Sequence, residues 1–191
     1  MKEDLELIND ILDNRSKALE RLYDRFAPSL LSLCYRYTAN VQDAEDVLHD
    51  GFIKIIKHLP DFKPKQEHSL EAWMKRIMTN TALNFIRDHA KERFALDIND
   101  IRESGLKTEE ETGEFDITRL SLSQDQIMQI ITDLPAGYRT VFNLYVFEEF
   151  SHKEISALLG FSENTSKSQL SKARASLRLK IFELINVVNV K

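Results

Sequence analysis

Two stretches of this 191-residue chain carry side chains whose types and spacing suit nucleic-acid recognition. Between Ser69 and Arg93, the residues Arg76, Asn80, Asn84, Arg87 and Lys91 recur at steps of three and four and so share one face of a helix. Asn and Arg can hydrogen-bond the edges of unpaired bases, and the adjoining run Lys63-Pro64-Lys65-Gln66-Glu67-His68 would border such a strand. Taken alone, a solvated helix face is the simpler account of this stripe, and Trp73 within it reads as a core anchor rather than a stacking platform. The second stretch is more specific. Ser151-His152-Lys153-Glu154 is a capping box opening a short helix with Ile155, Leu158 and Leu159 inside it, and Gly160 stops that helix. Ser162 then caps a longer one whose apolar stripe is Ser166, Leu170, Ala173, Leu177, Ile181 and Leu184. This is the pattern of a helix-turn-helix. Asn164, Lys167, Ser168, Ser171, Lys172, Ala175 and Arg178 face away from the stripe, and from Ser162 to Phe182 five cations stand against one acid. Short polar groups near a helix N-terminus with cations along its flank suit a major groove better than they suit the solvated terminal helix of a bundle.

The residues that would do covalent or metal chemistry are missing in any recognisable arrangement. The five histidines (His49, His58, His68, His89, His152) have no zinc-ligand spacing, and the chain has no Walker loop, dinucleotide fingerprint or GxSxG turn. No catalytic residue, metal site, cofactor or small-molecule substrate is expected. Cys34 is the only cysteine, which excludes an internal disulfide and makes the reducing cytoplasm the natural compartment; its place in Leu30-Leu31-Ser32-Leu33-Cys34-Tyr35 reads as a small buried apolar side chain. The acidic start Met1-Lys2-Glu3-Asp4 lacks the apolar run of a signal peptide, and no stretch reaches the length of a membrane span. With 26 basic against 31 acidic residues the formal charge is −5, which argues against a uniformly basic coat and leaves room for a local basic patch. Asp43, Asp46 and Asp50 form an acidic stripe at helical steps, suited to a basic helix on another protein, or simply to water.

The elements that must position these groups are helical. Five glycines and four prolines are few, and most of them punctuate 3.6-residue patterns rather than hairpins, so the expected class is all-α. Leu5, Ile8 and Leu12 predict a short first helix, and Leu19, Leu22, Tyr23, Phe26, Leu30 and Leu33 a second from about residue 16 to 37, which Pro28 should break or kink unless it opens a new helix. A third runs from Val41 to Leu59, where Gly51 marks either close packing or tolerated weakness, and Pro60 and Pro64 end it. The fourth, from about Ser69 to Arg93, places Leu70, Trp73, Met74, Ile77, Thr81 and Phe85 on one side. Residues 94–126 carry nine acids against three bases and read as a linker. Beyond it, two helices are expected over Leu122–Leu134 and Pro135–Phe147, ahead of the helix-turn-helix. The division expected is a first domain over 1–93, an acidic linker over 94–120 and a second domain over 121–191.

The order and wording of the segments are more specific than any one motif. Leu22-Tyr23-Asp24-Arg25-Phe26, Asp43-Ala44-Glu45-Asp46-Val47 and Ala72-Trp73-Met74-Lys75-Arg76-Ile77 with Asn80 resemble the first domain of bacterial extracytoplasmic-function (ECF) sigma factors. The run Leu134-Pro135-Ala136-Gly137-Tyr138-Arg139-Thr140-Val141-Phe142, then Glu154-Ile155, Leu158-Leu159-Gly160 and Lys167-Ser168-Gln169-Leu170-Ser171-Lys172-Ala173-Arg174, is similar to their second. The resemblance implies that Asp43, Asp46, Asp50 and Ile53 meet the clamp helices of the largest RNA polymerase subunit, with the flap as a further polymerase contact. It implies that His68, Arg76, Asn80, Asn84 and Arg87 capture unpaired bases of the minus-10 element, and that Asn164, Lys167, Ser168, Gln169, Ser171, Lys172 and Arg178 read the minus-35 element. Promoter DNA and core polymerase are thus the expected partners, with an anti-sigma factor as a further one. Some positions depart from the family's usual wording. Gln169 stands where a basic residue is common, Asn164 and Ser166 replace a frequent glycine and valine, Ser156 a usual alanine, and Gly51 a larger residue. The alternatives are a dimeric helix-turn-helix regulator acting without polymerase, and a helical adaptor that meets only proteins.

Overall fold

The computed structural model describes the backbone of residues 2–63, 69–103 and 122–188, with side chains described over 3–63, 69–89 and 122–184. Among the described residues there are eight α-helices, one 3₁₀ turn and no strand. The all-α expectation is met. Backbone contacts divide the chain into two compact units, residues 1–89 and 90–191.

In the first unit, α1 (Lys2–Leu12) packs on α2 (Ala18–Thr38) through Leu7, Ile8 and Ile11, and ion pairs from Asp10 to Arg21 and from Asp4 to Arg25 tie the two helices together. Pro28 neither ends nor restarts α2: the helix continues past it to Thr38. The expected break does not occur because Pro28 and Asp24, whose carbonyl loses its amide partner, lie on the exposed face where water can bond that carbonyl, while Leu22, Phe26, Ala27, Leu30 and Leu33 hold the other face in the core. Cys34 is buried as expected, and burial pushes its thiol pKa up to about 12, leaving it inert. Asn40 caps α3 (Val41–His58), its side chain accepting from the Asp43 amide at 3.0 Å, and a 3₁₀ turn over Leu59–Asp61 follows.

The fourth helix, α4 (Leu70–Glu103), extends past the Arg93 end that periodicity gave, into the acidic stretch; the rest of that stretch, 104–120, lies outside the described residues. Its buried face also differs from the expected one. Leu70, Met74 and Thr81 are buried as anticipated, but the centre of the face is Met78 and Ala82, with Trp73, Ile77 and Phe85 half-buried at its edges. Gly51 explains the rotation. A Cβ at that position would collide with Sδ and Cε of Met78, so the missing side chain on α3 is the space that Met78 fills. Of the two readings of Gly51, close packing is the one that holds. Lys54 reinforces the same seam by donating to Thr81 Oγ1 at 3.2 Å.

The second unit contains α5 (Gln124–Thr132), α6 (Ala136–Val146), α7 (His152–Leu159) and α8 (Glu163–Val188). Ser123 and Gln126 form a capping box at the start of α5. Its other end is closed from the next helix: buried Arg139 donates through Nη1 to the carbonyls of Thr132 at 2.8 Å and Leu134 at 2.7 Å, satisfying acceptors that a helix C-terminus leaves open. One apolar cluster joins Ile130, Ile131 and Leu134 to Tyr138 and to Ala173, Leu177 and Ile181 of α8. Lys180 of α8 is held by Asp133 at 2.8 Å, and this bond, with one from Gln129, keeps the Asp133 carboxyl below the usual carboxylate pKa.

Candidate nucleic-acid interface

The helix-turn-helix is built by local signals that act as their residue types predict. Ser151 N donates to Glu154 Oε2 at 2.8 Å while the Glu154 amide donates to Ser151 Oγ, and Gly160 adopts φ +75° with its amide on Ser156 O. The Thr165 amide donates to Ser162 Oγ at 3.1 Å, which opens α8. The predicted stripe is the buried face: Ser166, Leu170, Ala173, Leu177 and Ile181 are all buried, and Leu184 packs against the cluster.

The opposite face is where most of the expected DNA-reading residues lie. Asn164, Lys167, Ser168, Ser171 and Arg178 are exposed, and Lys172 is half-buried beside them. Gln169 is not with them. It is half-buried, with its amide oxygen inside next to Gly137 of α6. The spacing held that signal, because Gln169 stands three residues after Ser166 and four before Ala173, both buried. Lys180, one of the five cations, is engaged by Asp133. Sequence reasoning left Arg174 out of the site: it is exposed, and its guanidinium lies over the Tyr145 ring at 5.6 Å. The Tyr145 ring stacks on His152 at 4.7 Å between centroids, and His152 Nδ1 is hydrogen-bonded to Ser166 Oγ at 2.9 Å. Desolvation first, then the charges of Lys167 and Arg174, lower the His152 pKa from 6.5, with Glu163 opposing.

In the first unit, Arg76, Asn80, Asn84 and Arg87 are all exposed on α4, and Arg87 lies beside Asp88 with Nε to Oδ1 at 3.4 Å. His68 lies outside the described residues. Trp73 is half-buried with its ring 5.1 Å from that of Phe62, an anchor for the chain leaving the 3₁₀ turn. On α3, Asp46 and Asp50 are exposed, whereas Asp43 is half-buried in the first turn, where its charge complements the helix dipole. Ile53 is 53% exposed, and Val41 and Ile56 are also exposed on this helix. Among the described residues no three or more His, Cys, Asp or Glu side chains gather where a metal ion could be held, and no helix is long and apolar enough to cross a membrane.

Comparison with known proteins finds a match in each of the two units. The family model for Sigma-70 region 2 matches residues 22–92, and that for Sigma-70, region 4 matches residues 124–177; together they span more than half of the chain. The chain belongs to the sigma-70 family, in its ECF branch. It is 29% identical over 183 residues to the ECF RNA polymerase sigma factor SigW of Bacillus subtilis (strain 168), covering 93% of this chain and 96% of that one. It is 23% identical over 180 residues to the RNA polymerase sigma-H factor of Pseudomonas aeruginosa, covering 92% of each. Among solved structures, the sigma factor RpoE in complex with the anti-sigma factor NepR from Bartonella quintana aligns over 86% of this chain and 97% of that chain, at 21% identity and a TM-score of 0.49.

Proposed function

We infer that this chain is a sigma factor that directs core RNA polymerase to specific promoters in transcription initiation. The observation that carries this is the pairing, in one chain and in order, of the two sigma-70 segments with a folded helix-turn-helix whose outer face is polar and cationic. The dimeric-regulator alternative has no comparable support. Catalysis belongs to the polymerase, and the cytoplasm, where polymerase and chromosome meet, is the place of work.

The division of labour follows from the chemistry of each face. The α3 surface combines Asp46 and Asp50 with exposed Ile53, a combination suited to a partner helix presenting cations around an apolar seam, and we assign it to the clamp of the polymerase. The α4 face offers Asn80 and Asn84 between Arg76 and Arg87, amides for base edges and cations for phosphates, which suits the unpaired minus-10 strand. Trapping an extruded base offsets a few kcal/mol of unstacking, so binding energy favours strand opening without hydrolysis. On α8, Asn164, Lys167, Ser168, Ser171 and Arg178 suit the minus-35 major groove, with Lys172 on the flank. The region boundaries proposed are the core-binding and minus-10 domain over 1–93 and the minus-35 domain over 121–191.

Titration of fluorescently labelled protein into core RNA polymerase tests the assignment of α3. Asp46→Lys reverses an exposed charge without touching the core, so it should weaken association at least tenfold with unchanged helicity. Equal affinity would remove Asp46 from the interface, and no saturable binding by the wild type would remove the polymerase.

A further inference from the structure

We propose that His152 is a positioning residue for minus-35 recognition: through Ser166 and Tyr145 it sets α8 on α7 and holds Arg174 ready for a phosphate. This rests on the reading of α8 as the DNA-facing helix. His152 is the first residue of α7, and its Nδ1 hydrogen-bonds Ser166 Oγ on α8 at 2.9 Å. Ser166 is fully buried beneath the imidazole, so a ring of similar size that lacks Nδ1 would leave its hydroxyl without this partner. The other face of the contact is aromatic, with Tyr145 of α6 stacked on the imidazole at 4.7 Å and carrying the Arg174 guanidinium at 5.6 Å. The chain Ser166, His152, Tyr145, Arg174 therefore starts and ends on α8 and passes through α7 and α6.

A second hydroxyl stitches the same motif. Ser156 of α7 donates to the Phe161 carbonyl across the turn. Ser156 and Ser166 thus make directional bonds at two contacts where apolar side chains could only pack. An apolar contact slides at little cost; a hydrogen bond between a ring nitrogen and a buried hydroxyl does not. Lys167 and Ser168 follow Ser166 directly, so a shift at that contact moves the side chains that meet the groove.

The test uses full-length protein assembled with core RNA polymerase, and compares affinity for a promoter with its minus-35 element intact against one with it substituted. His152→Phe keeps a ring for Tyr145 and removes Nδ1, while Ser166→Ala removes the hydroxyl without adding volume. Each should lower the intact-to-substituted ratio about tenfold, the scale of one unsatisfied buried group. The double variant should lose no more than the worse single one, and His152→Asn, which returns a hydrogen-bonding atom near Nδ1, should recover a good part of the ratio. A merely structural role would lower the melting temperature and the bound fraction on both templates alike, leaving the ratio in place. Ratios within twofold of wild type for both single variants, or fully additive losses in the double, overturn the proposal. A wild-type holoenzyme that binds promoters but ignores the minus-35 substitution overturns the reading of α8 and this proposal with it.

Discussion

The seam between α3 and α4 gives a prediction with a change of sign in it. Gly51→Ala adds one methyl group in mid-helix, which by propensity alone should stabilise α3 by about 1 kcal/mol. The methyl group would collide with Sδ and Cε of Met78, a side chain with no exposed surface and so little room to retreat. Overfilling a packed site costs about 1–3 kcal/mol, so in the wild-type background the substitution should destabilise the first unit by up to about 2 kcal/mol. Met78→Ala alone should cost about 2–5 kcal/mol through the cavity it leaves. With Met78 gone, however, the same Gly51→Ala change meets no obstacle and should stabilise. Urea unfolding followed by tryptophan fluorescence measures this cleanly, because Trp73, the only tryptophan, lies half-buried in this unit. The reasoning is refuted if Gly51→Ala stabilises both backgrounds equally, since Met78 would then be giving way without cost.

Other consequences follow from single contacts. Arg139→Met should destabilise the second unit by about 3 kcal/mol, because it strands the Thr132 and Leu134 carbonyls at the end of α5; thermal unfolding by circular dichroism reads this, and a loss below about 1 kcal/mol would mean water replaces the guanidinium. His152 has a folded pKa below its ordinary 6.5 because it is desolvated and faces Lys167 and Arg174 on α8, with Glu163 opposing; the Tyr145 ring of α6 stacks against it. Its contribution is therefore fully present above about pH 6.5 and is lost as the pH falls through the folded pKa; the melting temperature should drop over that interval in the wild type and less in His152→Phe. The Asp133–Lys180 pair responds lower down, below the ordinary carboxylate pKa of 3.8, so the two limbs separate. Lys172→Ala should weaken minus-35 binding and reduce the slope of log affinity against log salt by about one, as loss of a phosphate contact requires; an unchanged slope would take Lys172 off the DNA backbone.

How much of this was legible in the sequence depended on whether the signal was local. The capping box at Ser151, the glycine stop at Gly160 and the α8 stripe from Ser166 to Leu184 could all be read directly, because caps and helical periodicity are decided within a few residues. The buried face of α4 was misplaced by part of a turn, since what draws Met78 inward is a glycine on another helix, 27 positions away in the chain. Pro28 was over-weighted for a similar reason: the penalty is local, while the burial that outweighs it and the exposure of the affected carbonyl are tertiary. Gln169 shows the opposite failure. The resemblance put it among the minus-35 residues although a basic residue is common there, yet its spacing from Ser166 and Ala173 already placed it beside the buried stripe. Arg174 was passed over because nothing in its own helix announces Tyr145 beneath it.

The central claim, that this chain gives core RNA polymerase its choice of promoter, is tested most directly by run-off transcription. Core enzyme and the purified protein are combined with a pool of genomic promoter fragments, and the transcript start sites are sequenced with and without the protein. A discrete set of start sites should appear that requires the protein, shares upstream elements near minus-35 and minus-10, and is reduced with Asp46→Lys at limiting protein. Unchanged start sites, together with tight binding of the free protein to duplex DNA, would contradict it.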